Sequence, residues 1–86
     1  MIKRQVIELR GVKREEFLDY FLILGGKELG DGKIRGLSWE VEIGPEEYLC
    51  LGTMELPSVK IIFKVEEGSF RAFLSAFRMK FLRGGG

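Results

Sequence analysis

Apolar and polar positions alternate along most of the chain, and the period of that alternation changes several times. Ile2 to Arg10 carries β-branched residues among its apolar positions and is closed by Gly11, which predicts a strand. From Val12 the period lengthens. Phe17, Leu18, Phe21 and Leu24 recur at helical spacing, with Glu15, Glu16 and Asp19 between them. Gly25-Gly26 stops this helix, but its start is poorly marked, because no Ser, Thr, Asp or Asn precedes it. Tyr20, Leu22 and Ile23 widen the apolar face, which predicts cover on more than one side.

A short strand follows at residues 27–29, then a tight turn at Asp31-Gly32, a strong hairpin dipeptide. Leu37, Trp39, Val41 and Ile43 alternate with Ser38, Glu40 and Glu42, so one face is buried and the other wet. Gly44-Pro45 interrupts the pattern, and residues 47–54 form another strand. Pro57 marks a strand start or edge. Val59, Ile61, Phe63 and Val65 then alternate with Lys60, Ile62, Lys64 and Glu66. Glu66-Glu67-Gly68-Ser69 opens a final helix, with Ser69 as cap and the acids at the positive end of the helix dipole. Phe70, Phe73, Leu74, Phe77 and Phe81 line one face of it, and Ala72 and Ala76 permit close approach. Arg78, Lys80 and Arg83 suit its negative end. Gly84 ends it and leaves residues 84–86 as a flexible tail.

The order is strand, helix, four strands, helix. Short Gly or Pro turns make consecutive strands antiparallel, and two helices with broad apolar faces share one side of the sheet. The expectation is a single α+β domain over residues 1–86, a two-layer sandwich with one sheet face open.

Composition narrows the chemistry. Fourteen basic residues stand against thirteen acidic ones, so no long-range field gathers nucleic acid or an anionic membrane. Lys3, Arg4, Arg10, Lys13 and Arg14 cluster near the start, but Glu8, Glu15 and Glu16 dilute them into a solvated face. One cysteine, Cys50, permits no internal disulfide and no cysteine-based zinc cluster, and no histidine supplies a general base or metal ligand. No apolar run approaches the ~20 residues of a membrane span, and the chain reads as cytoplasmic. The lack of Asn, beside abundant Glu, Lys and Arg, fits a heat-adapted source.

Sequences that tempt a catalytic reading fail on spacing. Gly30-Asp31-Gly32-Lys33 lacks the earlier glycine of a phosphate loop and has Ile34 where Ser or Thr is needed; Arg35 stands where a dinucleotide fingerprint needs its third glycine. Glu15-Glu16, Glu46-Glu47 and Glu66-Glu67 are adjacent pairs whose side chains diverge. Cys50 has no base to activate it. Glu40 and Glu42 share one sheet face, where Lys60 and Lys64 can neutralise them. Tyr48, Cys50 and Ile62 form a small apolar patch beside them. Glu40, Glu42, Tyr48, Cys50, Lys60, Ile62 and Lys64 therefore define an interaction face that suits a protein partner or a second copy. Trp39 and Phe63 point inward, which leaves no stacking platform for nucleic acid. No catalytic residue, cofactor site or metal site is expected.

Three segments carry a resemblance: Val6-Ile7-Glu8-Leu9-Arg10-Gly11-Val12, Arg14-Glu15-Glu16-Phe17-Leu18, and Phe77-Arg78 through Leu82-Arg83-Gly84-Gly85-Gly86. They resemble the C-terminal domain of MoaD-related proteins, which join a ubiquitin-like sulfur carrier of molybdopterin synthesis to a small α+β domain. The element order is similar to one repeat of the TATA-binding-protein-like fold. The resemblance implies a non-enzymatic accessory or interaction domain, working in molybdenum cofactor biosynthesis or sulfur transfer beside a sulfur-carrier partner. The alternative is a small carrier or modifier activated at Gly85 and Gly86, since Arg followed by terminal glycines resembles the tails that carriers expose for adenylation. Carrier tails leave a strand, however, and this one leaves a predicted helix.

Overall fold

A computed structural model describes residues 1–81. Its elements are β1 (Ile2–Arg10), α1 (Arg14–Ile23), β2 (Lys27–Gly30), β3 (Lys33–Arg35), β4 (Trp39–Ile43), β5 (Glu47–Leu51), β6 (Met54–Glu66) and α2 (Glu67–Phe81). Every strand pairing is antiparallel. The sheet runs β1-β6-β4-β3-β2, with β5 attached to the first part of β6. The fold is α+β, an open antiparallel sheet with two helices.

The described residues hold one strand more than the four expected between the helices. Asp31 and Gly32, at φ 44° and 81°, make the tight turn that the dipeptide predicts, and β3 is the second arm of that hairpin. With Ile34 as its one apolar residue, β3 is too short to show a period. The strand expected over residues 47–54 is split by Gly52-Thr53, which turns β5 back onto β6 at Leu51↔Met54. Pro57 consequently lies inside β6, opposite Tyr48. Its carbonyl accepts from the Gly11 N–H at 2.8 Å, so its ring faces the line of β1 one residue beyond that strand's end. No ladder bond to β5 is lost there.

The core lies on one face. Leu9 opposes Val59, Ile34 opposes Val41, Val41 opposes Phe63, and Ile43 opposes Ile61, all buried. Phe63 meets Phe21 of α1 and both Phe73 and Phe77 of α2, so the two helices share that face. Phe77 also stacks on Phe21 with the rings 8° from parallel. Burying a side chain of this size contributes about 2–3 kcal/mol.

Helix α2 begins at Glu67, directly after β6, so Ser69 is a helical residue rather than the expected cap. The junction is held by two backbone bonds, Glu66 N–H to the Ser38 carbonyl at 3.0 Å and Glu67 N–H to the Met1 carbonyl at 2.8 Å. The expected stop at Gly84 and the tail, Gly85 and Gly86 included, lie outside the described residues.

Candidate functional site

Strand register defines the open face. Side chains on alternate residues share a face, and directly opposed residues point the same way. The buried residues of β6 are Val59, Ile61, Phe63 and Val65, so Lys60, Ile62, Lys64 and Glu66 project from the other side. One row across this open face reads Lys27, Arg35, Glu40, Lys64, Arg4; the next reads Lys33, Glu42, Ile62, Val6. Arg35 and Glu40 form an ion pair at 3.2 Å. Glu40 stands opposite Lys64 as expected, but Glu42 faces Ile62, and Lys60 instead faces Glu8. Ser58, buried, donates to the Glu8 carboxylate at 2.8 Å.

This face is more basic than the whole chain. Lys27, Lys33, Arg35, Lys60, Lys64, Arg4 and Arg10 stand against Glu8, Glu40, Glu42, Glu47 and Glu66, an excess of two positive charges where the chain carries +1. Among the described residues its strands project no aromatic ring from it, because Trp39 and Phe63 share parity with the buried aliphatics.

Tyr48 and Cys50 do not belong to this surface, which corrects the grouping of seven residues on one face. Between the pairs Ile43↔Ile61 and Glu47↔Ser58 lie three residues on one strand, Gly44, Pro45 and Glu46, but two on the other, Val59 and Lys60. That extra residue is a bulge, and it reverses the facing of everything after it. Tyr48 opposes Pro57 and Cys50 opposes Glu55, on the helix side of the sheet but beyond the helices. Both are exposed, and the Cys50 thiol lies 3.9 Å from a Glu55 carboxylate oxygen. Leu49 and Leu51 face the open side instead: Leu49 opposes Leu56, and Leu51, 54% exposed, opposes Met54.

The bulge has a structural role that the sequence does not announce. Glu46 accepts the Arg14 backbone N–H at 2.7 Å and the Tyr48 hydroxyl. The Arg14 guanidinium donates back to the carbonyls of Gly44 at 2.8 Å and Ile43 at 3.3 Å. Lys13 makes no side-chain cap at the start of α1, so a carboxylate 32 residues away takes the place of one. The Tyr48 hydroxyl bond and then the Arg14 N–H hold the Glu46 carboxyl below its ordinary pKa, and the same bond pushes the Tyr48 phenol up. Gly32 is required beneath this cluster: besides its positive φ, a Cβ there would collide with the Arg14 guanidinium and the Ile43 carbonyl.

A shallow cleft of about 240 Å³ lies at the corner of the open face, between Ile2, Arg35, Trp39, Glu40, Lys64 and Glu66. Leu37 on its rim is fully exposed. Among the described residues no group of His, Cys, Asp or Glu is placed to hold a metal ion, and no helix is long and apolar enough to cross a membrane. The open face thus presents rows of charged side chains on a sheet whose other side is covered by the two helices.

The family of archaeal MoaD-like proteins matches residues 5–86, nearly the whole chain, and the chain belongs to that family. No curated protein matches it.

Proposed function

From this membership, we propose that the protein is a non-enzymatic interaction module in sulfur-carrier chemistry, recruiting a MoaD-type carrier through the open sheet face. The observation that carries the proposal is the family match over residues 5–86. The basic excess of the open face adds the partner's chemistry: a surface with more carboxylates than cations. We place the activity in cytoplasmic molybdenum cofactor biosynthesis, the setting the family resemblance implies. We assign the fold to the TATA-binding-protein-like class, with one strand more between the helices than that class's four, on the support of the sheet's single helix-covered face. Nucleic acid is not proposed as the ligand, since the face offers cations without a stacking ring.

The experiment is a calorimetric titration of the protein with a purified MoaD-type carrier at low and high salt. Binding that weakens with salt and drops about tenfold in Lys64→Glu is expected, since reversing one facing charge converts attraction to repulsion. Absence of binding at high micromolar carrier would defeat the reading.

A second reading is favoured by one observation, the extension of the family match through Arg83-Gly84-Gly85-Gly86. Here the protein is itself a carrier, activated at its C-terminal glycine. Incubation with an adenylating enzyme, ATP and a sulfur donor would add 16 Da to the intact mass as a carboxylate oxygen is replaced by sulfur. An unchanged mass would remove this reading.

A further inference from the structure

We propose that two copies of the chain pair through β1, antiparallel and centred on Val6, joining their sheets into one continuous sheet. This stands apart from the recruitment of a carrier, because it uses the edge of the sheet rather than its open face.

Three observations converge. The first is the edge itself. β1 lies at one end of the sheet order and pairs only with β6 among the described residues. It is nine residues long, with no proline, glycine or bulge. Such an edge is a template for strand addition.

The second is the direction of its hydrogen-bonding groups. The Met1 carbonyl accepts from Glu67, and the Gly11 N–H donates to Pro57, both at 2.8 Å. In an antiparallel ladder these bonds place Lys3, Gln5, Ile7 and Leu9 in hydrogen-bonded pairs with β6. The N–H and C=O groups of Ile2, Arg4, Val6, Glu8 and Arg10 therefore point outward, along the whole edge.

The third is charge. One two-fold register uses all nine residues of the strand. It pairs Val6 with the partner's Val6, Arg4 with the partner's Glu8, and Ile2 with the partner's Arg10. Each of these is an outward-bonding residue meeting an outward-bonding residue, as a hydrogen-bonded antiparallel pair requires. Within one copy Arg4 stands opposite Lys64, a like charge. The second copy sets a carboxylate on the other side of Arg4, twice by symmetry. Val6, 46% exposed in the single chain, is covered at the axis. The axis is perpendicular to the sheet, so both open faces look the same way and stay free.

Sedimentation equilibrium on the full chain tests this, with circular dichroism to confirm that each variant is folded. The wild type is expected to dimerise. Arg4→Glu sets two carboxylates against each other at both crossings, and Glu8→Arg sets two guanidinium groups, so each should weaken the dimer about tenfold or more. An equimolar mixture of the two variants restores both opposite-charge crossings and should recover a dimer. Val6→Pro removes one outward N–H and none that bonds β6; it should weaken association without depending on the Glu8–Ser58 contact. A monomeric wild type at several hundred micromolar would overturn the proposal. So would wild-type dimerisation by Val6→Pro, or failure of the two folded charge variants to recover affinity when mixed.

Discussion

Along the single strand β6, residues 59–65 pair with β1 on one side and, from Ile61 onward, with β4 on the other, beneath two helices, while most of residues 54–58 pair with β5 alone. Both stretches are rich in apolar side chains. In the first, Val59, Ile61, Phe63 and Val65 are all but inaccessible; on the same side of the hairpin, Tyr48, opposite Pro57, remains 54% exposed. The β5–β6 hairpin is a regular antiparallel pair like the central strands, but it is paired on one side only and lacks a second layer. Hydrogen-bonded pairing makes a strand, and a covering layer makes a core; only the second brings the stabilisation of burial.

That contrast can be broken most forcefully from its core side. Phe77→Ala empties a site in contact with Phe17, Tyr20, Phe21, Phe63 and Phe81, and should cost about 3–5 kcal/mol by urea unfolding. Gly36→Ala comes next. A Cβ there would collide with the indole of Trp39, whose ring packs on Phe21 and Phe73, and displacing it should cost about 1–3 kcal/mol in the same measurement.

Glu46→Gln tests the link between the hairpin's base and α1, with a smaller effect that depends on pH. The folded carboxyl is held below its ordinary value, so its stabilisation is present above the unfolded pKa near ~4.3 and is lost as pH falls through the depressed folded value. The wild type should melt above the variant at pH 7, and the gap should close at lower pH. At the other end, the raised Tyr48 phenol means its bond contributes below pH ~10 and fades as pH rises further. Equal melting curves at pH 7 would show that the carboxylate does not anchor the helix.

Met54→Ala should change stability by less than about 0.5 kcal/mol, as expected where no layer covers the side chain. Hydrogen exchange sharpens the same point without a mutation. Amides of β6 between Val59 and Val65 should exchange far more slowly than those of β5, whose opening disturbs no buried layer.

Much of the fold was legible from periodicity. The two helices are where Phe17–Phe21 and Phe70–Phe81 spacing puts them, and the alternation of Trp39, Val41 and Ile43 against Glu40 and Glu42 marks inner and outer faces of β4. Strand β3 was not legible, because three residues with one buried apolar side chain carry no period. The candidate surface was partly legible. Glu40, Glu42, Lys60, Ile62 and Lys64 share a face, and Tyr48 and Cys50 do not, because a single unpaired residue at Gly44-Pro45-Glu46 inverts the parity on which their placement rested. Glu46 as the anchor of α1 left no local trace, since its partner is 32 residues away.

The sequence alone determined the kinds of element, their order and which side of most strands is apolar, because those follow from side-chain spacing over a few neighbouring residues. Tertiary structure decided the rest. It joined β1 to β6, set the bulge that turns Tyr48 and Cys50 away from the open face, and gathered cations from β1, β2, β3 and β6 into one basic surface on a nearly neutral chain. Register is a relation between distant strands, and a one-residue difference in it changes which side chains meet.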